Sequence, residues 1–447
     1  MVAPARRTAL RSFRRVGDGE TDLASALEWS RKDLSDDRDR ALAAEIVIGT
    51  LRWRAALDHA IAWAGDRAPD AFDAGVLDIL RISAYQLLHL DRVPASAIVD
   101  DAVSLCRIDG HRPATGAVNA ILRRISRDRR RIPWPADTDQ AAHLSVTWSH
   151  PEWLVTRWIA RMGFDTALAW VRFNNAPAPI TLRVNAARVD GRELQAMLGS
   201  AGVSTRACAF APDGLIVEDG NPLRTPLARE GLFAIQDEAS QLVGAFTAPA
   251  PRTRVVDACA APGGKTAQLA AALGGSGLLV ACDVRARRVR LLRAQLREAR
   301  VERCAIVQHD LLQGAPFRDV DTMLVDAPCT GLGTIRRDPD IRWKRRPEDL
   351  PVHAERQNRM LDHAGAAIRP GGVLVYSTCS SEPEENEQVV DAFLERHPAF
   401  VLEDPRQGPG TVPPTILACL DRAGYLRTSP SEHGLEAFFA ARLRRRP

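Results

Sequence analysis

The feature that most constrains the fold is an alternation of apolar runs and amphipathic segments that starts near residue 236. The apolar runs are rich in β-branched and aliphatic residues, and segments of helical periodicity separate them. They span residues 254–260, 278–283, 304–310, 322–328 and 373–379. This alternation is typical of βαβ units, in which parallel strands are buried between two layers of helices. Residues 236–447 are therefore predicted to form an α/β domain around a mostly parallel sheet.

The residues before this domain show two other patterns. Over residues 1–135, apolar residues recur every three or four positions, which predicts an all-α domain. Pro133-Trp134-Pro135 interrupts that pattern and marks a boundary. Residues 136–235 combine a helix that starts at Pro151 with an alternating strand at 180–185, which predicts a small α/β connector. Three domains suit a chain of 447 residues, since a domain usually contains about 100–200 residues.

The composition is that of a globular protein without a membrane anchor. Hydrophobic residues make up 45% of the chain and charged residues 26%, which excludes a disordered protein. The longest nearly apolar run, Leu269 to Cys282, has 14 residues, whereas a helix that spans a bilayer needs about 20. The N-terminus lacks the apolar core of a secretory signal, and the 8 cysteines contain no C-x-x-C pair. We therefore expect a cytoplasmic protein with reduced thiols, no membrane association and no metal site.

A chemically reactive residue stands at the end of each predicted strand. Asp257, Asp283, Asp310 and Asp326 mark the first four strand ends, and Cys379 ends the fifth. In open α/β sheets, ligands bind beyond the carboxyl ends of the strands. The sequence therefore predicts a functional site at this edge of the sheet.

The loop after the first strand narrows the choice of ligand. Its sequence is Cys259-Ala260-Ala261-Pro262-Gly263-Gly264-Lys265. A phosphate-binding P-loop would need glycine at position 259, and the G-x-G-x-x-G fingerprint of dinucleotide folds is missing, so both a nucleoside triphosphate and NAD are disfavoured. Asp283 stands where such folds bind ribose hydroxyl groups, and Asp310 suits an adenine amino group. An adenosine without a triphosphate indicates S-adenosylmethionine as the cofactor.

Two of the cysteines differ from the others. Cys329 and Cys379 follow long strands in polar, turn-prone sequence, whereas a cysteine on an apolar strand usually serves as a small core residue. Two thiols beside a methyl donor indicate methylation of cytosine at C5. A thiolate adds to C6, C5 accepts the methyl group, and the C5 proton and the thiolate then leave. Asp326 would stabilise the adduct near N3, and the base must leave its stack to enter the pocket.

The motifs around these residues resemble one family closely. They are DACAAPGGKT (257–266), DAPCTGLGTIRRDPDIRW (326–343) and RPGGVLVYSTCSSEPEEN (369–386). This set resembles the Sun-type family of RNA cytosine-5 methyltransferases. In the helical part, IVIGTLRW (46–53) and AYQLLHLDRVP (84–94) resemble the NusB-like RNA-binding domain of the members that act on bacterial 16S rRNA. The resemblance implies a NusB-like N-terminal domain, an RRM-like connector and a Rossmann-like class I methyltransferase domain.

The resemblance also implies roles for individual residues. Cys379 is implied to be the nucleophile, and Cys329 is implied to assist product release. Lys265 and Asp326 are implied to face the target base. The positions implied to hold S-adenosylmethionine are Cys259, Ala260, Ala261, Pro262, Gly263, Gly264, Lys265, Asp283, Asp310 and Asp326, with Arg288 as a further position on the cofactor side.

An RNA substrate makes three arginine clusters candidate phosphate-binding surfaces. The net charge of the whole chain is only +4. They lie at residues 123–131, 285–303 and 336–346. The third cluster is predicted to contact phosphates because it adjoins the Cys329 loop. The second cluster fits a solvated helix face equally well. Within the third cluster, Trp343 is equally suited to stacking on a base and to packing in a core.

The sequence thus predicts an S-adenosylmethionine-dependent enzyme that methylates C5 of a cytidine in 16S rRNA. We expect a monomer that acts before the subunit is fully assembled. Three alternatives stay open. A tRNA-specific member of the family would share the catalytic motifs. A non-catalytic RNA-binding assembly factor would not need both thiols, and a DNA cytosine methyltransferase would lack Cys379, so the intact pair argues against these two.

Overall fold

The computed structural model shows a chain that packs into two compact units. It describes residues 2–17, 19, 21–407 and 412–447. The helical unit comprises the residues up to Ala176 together with 335–345, and the sheet unit comprises 177–334 and 346–447. This division follows spatial contacts, and the domain limits predicted from the sequence remain predictions.

The helical unit is built from amphipathic helices, and those within residues 2–128 pack on one apolar core. Its helices up to Ala176, of which the last three fall within the predicted connector (136–235), are α1 (Pro4–Gly17), α2 (Leu23–Asp33), α3 (Asp37–Arg52), α4 (Arg54–Gly65), α5 (Ala74–His89), α6 (Ala95–Ile108), α7 (Thr115–Asp128), α8 (Gln140–Ala142), α9 (Glu152–Met162) and α10 (Phe164–Asn175). The carboxylates of Asp22, Asp36 and Asp73 accept hydrogen bonds from first-turn N–H groups of α2, α3 and α5. Ile46 and Leu80 are fully buried in the core. The all-α prediction for the N-terminal part is confirmed.

The connector forms a small antiparallel sheet in the sheet unit. Its elements are β1 (Thr181–Val184), α11 (Gly191–Ser200), β2 (Ser204–Ala207), β3 (Gly214–Asp219) and β4 (Phe233–Ile235). The strand order is β2-β3-β1-β4, and every pairing is antiparallel. Asp190 caps α11, and Leu182 of β1 shares a fully buried core with Leu194 and Leu198 of that helix. The connector therefore has the predicted α/β character.

The larger sheet contains all five predicted strands and three more. Its strands are β5 (Arg254–Asp257), β6 (Leu278–Asp283), β7 (Ala305–Gln308), β8 (Val320–Asp326), β9 (Ile368–Thr378), β10 (Phe400–Leu402), β11 (Leu426–Arg427) and β12 (Phe439–Arg445). The helices after the connector are α12 (Glu238–Thr247), α13 (Gly264–Ala272), α14 (Ala286–Glu298), α15 (Ile341–Lys344), α16 (Asp349–Ala367), α17 (Glu387–Arg396), α18 (Pro414–Leu417) and α19 (Pro430–His433). Of these, α15 belongs to the helical unit. Among the described residues, no helix is long and apolar enough to cross a membrane.

The strand order places the reactive residues side by side. The order is β10-β12-β9-β8-β5-β6-β7, and β11 pairs with β12. Strands β5 to β9 are mutually parallel, whereas β12 is antiparallel to β9, with Phe439 opposite Thr378. The sheet is thus mixed, because β12 runs antiparallel to each strand that pairs with it, β9, β10 and β11. The chain proceeds from β5 outward to β7 and then returns to β8 on the other side of β5. The loops after β5 and β8 flank this switch point, where α/β sheets bind ligands.

Candidate active site

The ends of β5, β8 and β9 are joined by hydrogen bonds between side chains. Lys265, in the first turn of α13, places its Nζ 2.7 Å from Oδ2 of Asp326 at the end of β8. Ser377 of β9 donates its hydroxyl to the other carboxylate oxygen of Asp326 at 2.8 Å. Because Asp326 is held from both sides, the structure brings the predicted Lys265–Asp326 pair together in a fixed geometry.

The two predicted thiols lie next to each other. The Sγ atoms of Cys329 and Cys379 are 3.3 Å apart, within hydrogen-bond distance for sulfur. The backbone ties their loops together, since the N–H of Gly333 donates to the carbonyl of Cys379 at 2.9 Å and the N–H of Ala327 donates to that of Ser377 at 2.8 Å. The two cysteines, 50 residues apart in the chain, therefore form one reactive pair.

Different groups surround the two thiols, and they shift the pKa values of Lys265 and Cys329. Burial opposes a charge on Lys265, but Asp326 outweighs it and raises the pKa of the ammonium, with a further contribution from Cys379. Lys265 therefore stays cationic near Cys379. The hydrogen bond with Cys379, followed by burial and the charges of Cys379 and Glu385, raises the pKa of the Cys329 thiol well above its usual range. Cys329 is therefore protonated at neutral pH.

The loop from Cys259 to Lys265 is held close to the end of β6. The N–H of Ala260 donates to the carbonyl of Cys282 at 2.8 Å, and the N–H of Ala261 donates to the Asp283 carboxylate at 3.2 Å. Gly263 has a φ of +119°, a conformation that side chains rarely adopt. A Cβ at this glycine would also meet the side chain of Leu292 at 3.0 Å. This turn explains why the predicted loop needs glycine.

Arg288 connects α14 to this loop. Its Nε donates to Oδ2 of Asp283 at 3.0 Å, and its Nη2 donates to the carbonyl of Ala261 at 2.6 Å. Helix α14 starts at Ala286 with Arg285 at its N-cap, so Asp283 is not the capping residue. Arg288 thus positions both Asp283 and the loop.

Asp310 lies beside the end of β6. The N–H of His309 donates to the carbonyl of Asp283 at 3.1 Å, which brings the end of β7 against the end of β6. One oxygen of the Asp310 carboxylate accepts a hydrogen bond from the N–H of Leu312 at 3.0 Å and so caps a short 3-10 turn. The structure therefore places Asp283 and Asp310 on neighbouring strand ends.

Sequence reasoning gave no role to several residues that hold the site. Thr266 donates to the buried Asp257 carboxylate at 2.6 Å, and Ser377 orients Asp326. Glu385 binds the loops of both cysteines. The acidic run SEPEE was visible in the sequence, but no periodicity shows which of its carboxylates is buried. Only contacts between distant segments identify Glu385.

Residues 336–345 of the third arginine cluster lie in the helical unit and are partly buried. Arg342 is fully buried, and its Nη1 donates to the Ser149 carbonyl and to Oδ1 of Asn175, each at 2.9 Å. This member of the cluster therefore does not present its charge to solvent. Trp343 donates its indole N–H to the carbonyl of Leu51 at 2.6 Å, so this side chain packs within the unit.

Three protein-family models match the chain, one for each of its parts. The model described as 16S rRNA methyltransferase RsmB/F matches residues 245–444. The NusB family model matches residues 3–127. The model for the ferredoxin-like domain of RsmF/B-like methyltransferases matches residues 150–224. This order of domains is the order predicted from the sequence.

Similar proteins align over almost the whole chain. The probable ribosomal RNA small subunit methyltransferase B of Bacillus subtilis is 33% identical over 92% of this chain and 91% of its own length. The ribosomal RNA small subunit methyltransferase B of Pseudomonas putida is 35% identical over 88% of this chain and 89% of its own. The crystal structure of PH0851 superposes with a TM-score of 0.82 at 25% identity and covers 99% of both chains. Because these alignments span every part of the molecule, the chain belongs to the 16S rRNA methyltransferase RsmB/F family, as an RsmB-type methyltransferase.

Proposed function

We propose that this protein transfers a methyl group from S-adenosylmethionine to C5 of a cytidine in 16S rRNA, through a covalent adduct between Cys379 and C6. The observation that carries the proposal is the 3.3 Å separation of the Cys329 and Cys379 Sγ atoms, beside the Lys265–Asp326 pair. Methylation at C5 needs a nucleophile at C6 and assistance when that nucleophile leaves. Two adjacent thiols provide both.

The residues at the strand ends suit S-adenosylmethionine. Oδ2 of Asp283 accepts hydrogen bonds from Ala261 and Arg288. Within the part of the chain that the structure describes, Oδ1 accepts only a long 3.4 Å bond from the N–H of Arg285. That oxygen is suited to accept a ribose hydroxyl, and Asp310 is suited to accept the adenine amino group. When bound, the cofactor supplies a methyl group on a positively charged sulfur. The residues proposed to hold it are the loop from Cys259 to Lys265 (Cys259, Ala260, Ala261, Pro262, Gly263, Gly264 and Lys265), Asp283, Asp310 and Asp326, with Arg288 acting through Asp283.

Lys265 and Asp326 assist the attack. The Lys265 ammonium attracts the negative charge of the attacking Cys379 sulfur. As the S–C6 bond forms, electrons of the pyrimidine ring move toward N3. Asp326, which shares a hydrogen bond with the Lys265 ammonium, is proposed to stabilise the adduct there by protonation or hydrogen bonding. C5 then becomes enamine-like and accepts the methyl group. Ser377 keeps the Asp326 carboxylate oriented throughout these steps.

Cys329 is proposed to act once the adduct exists. Its largest pKa-raising influence is its hydrogen bond to Cys379. When the Cys379 sulfur is bonded to C6, it is a weaker hydrogen-bond acceptor, so this influence on the pKa of Cys329 diminishes. Cys329 then gives its own proton to water, and the resulting thiolate removes the C5 proton, so that the C5–H electron pair forms the C5–C6 double bond. The S–C6 bond breaks, and its electron pair returns to Cys379.

The helical unit and the relatives favour 16S rRNA as the acceptor. The helical N-terminal part matches the NusB family, and the B. subtilis and P. putida relatives are named as small-subunit rRNA methyltransferases. We propose that a cytoplasmic monomer acts on the rRNA before the subunit is fully assembled. Measuring methyl incorporation into 16S rRNA and into tRNA with one enzyme preparation distinguishes this proposal from a tRNA-specific enzyme.

The decisive experiment compares Cys329→Ala with Cys379→Ala. Each variant is incubated with S-adenosylmethionine and 16S rRNA and run on a denaturing gel. We expect Cys329→Ala to migrate as a slow covalent RNA adduct, because attack proceeds and release fails. Cys379→Ala should form no adduct. Cys304→Ala is the matched control, since that thiol precedes β7 at the opposite end of the strands, and it should turn over like the parent.

Two outcomes would contradict the proposal. If Cys379→Ala forms the adduct instead, the two roles are reversed, as in DNA cytosine methyltransferases. If neither variant forms an adduct while the parent methylates the RNA, the acceptor atom is not cytosine C5.

A further inference from the structure

A buried carboxylate joins the two loops that carry the thiols. Glu385 is fully buried, and its Oε1 accepts a hydrogen bond from the N–H of Thr330 at 2.8 Å. Its Oε2 accepts the hydroxyls of Thr330 and Ser380, each at 2.5 Å. Thr330 directly follows Cys329, and Ser380 directly follows Cys379. One carboxylate therefore connects the chain beside both thiols.

The same carboxylate reaches the Cys329 loop from its other side through Gln357. The Nε2 of Gln357, in α16, donates to Oε1 of Glu385 and to the carbonyl of Pro328, both at 3.1 Å. Pro328 directly precedes Cys329. The Glu385 carboxylate thus accepts bonds from Thr330 and Gln357, which hold the loop on both sides of Cys329. Among the described residues it accepts one bond from the other loop, donated by Ser380.

The Cys379 loop has a second anchor that does not involve Glu385. Oδ1 of Asn386 accepts the Thr378 hydroxyl at 2.5 Å, and Nδ2 of Asn386 donates to the Ser380 carbonyl at 3.0 Å. These two contacts hold the residues on either side of Cys379. Loss of the Glu385 carboxylate would therefore free the release thiol more than the nucleophile.

We infer that Glu385 is a positioning residue that holds the release thiol Cys329 against the nucleophile Cys379. The inference rests on the two-cysteine reaction proposed above. Glutamine at this position keeps the shape but removes the charge and replaces one acceptor oxygen with an NH₂ group, which cannot accept the Thr330 and Ser380 hydroxyls. The Cys329 loop then loses hydrogen bonds that the carboxylate accepted, whereas Asn386 still holds the Cys379 loop. Attack should continue while release becomes slow.

The test measures adduct formation and turnover separately in full-length Glu385→Gln. The protein is mixed with S-adenosylmethionine and 16S rRNA, and samples are run on denaturing gels over time. We expect turnover to fall about tenfold to a hundredfold, as for lost hydrogen bonds to a buried charge. The fraction trapped as covalent adduct should rise well above that of the parent, with adduct formation itself little changed. A purely structural defect would slow both steps together.

Two further variants keep the test decisive. Glu387→Gln is the matched control, because its carboxylate pairs with Arg427 at 2.9 Å, and it should behave like the parent. Thr330→Val removes one hydroxyl donor to Glu385. It should also lower turnover and raise the fraction of trapped adduct, but by less. This variant tests the inference if Glu385→Gln does not fold.

Cys329→Ala on the same gel distinguishes failure of the inference from failure of the proposed function. If Cys329→Ala forms no adduct, the two-cysteine reaction itself is wrong. If it forms the adduct while Glu385→Gln and Thr330→Val trap no more RNA than the parent, the positioning role of Glu385 alone is overturned.

Discussion

At the scale of single residues, Asp257 shows how burial changes the behaviour of a carboxyl group. It ends β5 and is fully buried, and burial raises its pKa to about 7 despite the hydrogen bond from Thr266, with Asp326 adding to the rise. In the unfolded chain the same group titrates near pH 3.9. Between about pH 4 and pH 7 the folded protein therefore binds one more proton than the unfolded chain. The contribution of Asp257 to stability is full below about pH 4 and is lost as the pH rises through 7.

Replacing Asp257 with asparagine should remove this pH dependence. The stability of Asp257→Asn relative to the parent is expected to rise by roughly 1 kcal/mol per pH unit between pH 4 and pH 7. Denaturant unfolding at pH 4.5 and pH 8 measures the difference. Asp319→Asn, at an exposed position, is the control and should show the same difference from the parent at both pH values. An equal effect of Asp257→Asn at both pH values would refute the assignment.

At the scale of elements, the short 3-10 turn Leu332–Thr334 determines how closely the loops approach. Gly333, in this turn, donates its N–H to the Cys379 carbonyl at 2.9 Å and accepts at its own carbonyl from the Ala437 N–H at 3.0 Å. A Cβ at this position would lie 1.9 Å from the Ala437 oxygen and 2.8 Å from the Cys379 oxygen. Both are backbone atoms, so the loops themselves would have to move.

Gly333→Ala should therefore displace the Cys379 loop. We expect a loss of stability of about 1–3 kcal/mol, typical of overpacking, and a much lower methylation rate. Thermal unfolding and initial rates measure the two effects. Gly199→Ala, in α11 with no neighbour within 4 Å of the added Cβ, should keep the parent's rate. Full activity in Gly333→Ala would mean that the close approach of the loops is not needed.

Elements with a local pattern were predictable, and elements defined by distant partners were not. Strands β5 to β9 were visible because continuous apolar runs mark buried parallel strands. Strand β12 has the sequence FAARLRR, which contains three arginines and gives no such run. It is a strand because β9 and β10 pair with it on either side. The same holds for the candidate site: the strand ends were marked by their residue types, but Glu385 is recognised only through contacts with Thr330 and Ser380.

At the scale of the whole molecule, the segment Ile335–Arg345 does not pack with the residues that flank it in the chain. It belongs to the helical unit, although it begins six residues after Cys329. Its Arg342 is fully buried, and Nη1 bonds to Ser149 and Asn175 hold it there. No local signal in the sequence distinguishes this arginine from its half-buried and exposed neighbours, so the sequence alone predicts a phosphate-binding surface for the whole cluster.

Arg342→Lys should weaken the helical unit because lysine cannot reproduce the fork of the guanidinium group. We expect a loss of about 2–4 kcal/mol from buried, charge-assisted hydrogen bonds, together with slower methylation, since the segment is continuous with the Cys329 loop. Denaturant unfolding and methylation assays measure these effects. Lys344→Ala, which removes a partly exposed ion pair with Asp340, should change stability by less than about 1 kcal/mol. Parent-like stability in Arg342→Lys would show that the buried arginine is dispensable.

The pairing of β9 with β12 has a consequence for the order of events during synthesis. The 60 residues from Cys379 to Phe438 separate the two strands in the chain. While the ribosome adds these residues, β9 can pair only with β8. The backbone N–H and C=O groups on its other edge are unpaired and can form non-native hydrogen bonds with another strand. Strand β9, which directly precedes Cys379, gains its second neighbour only when β12 has been made. A nascent chain without β12 therefore cannot hold Cys379 in its final place. We expect the enzyme to become active in methylation only after most of its chain has been translated.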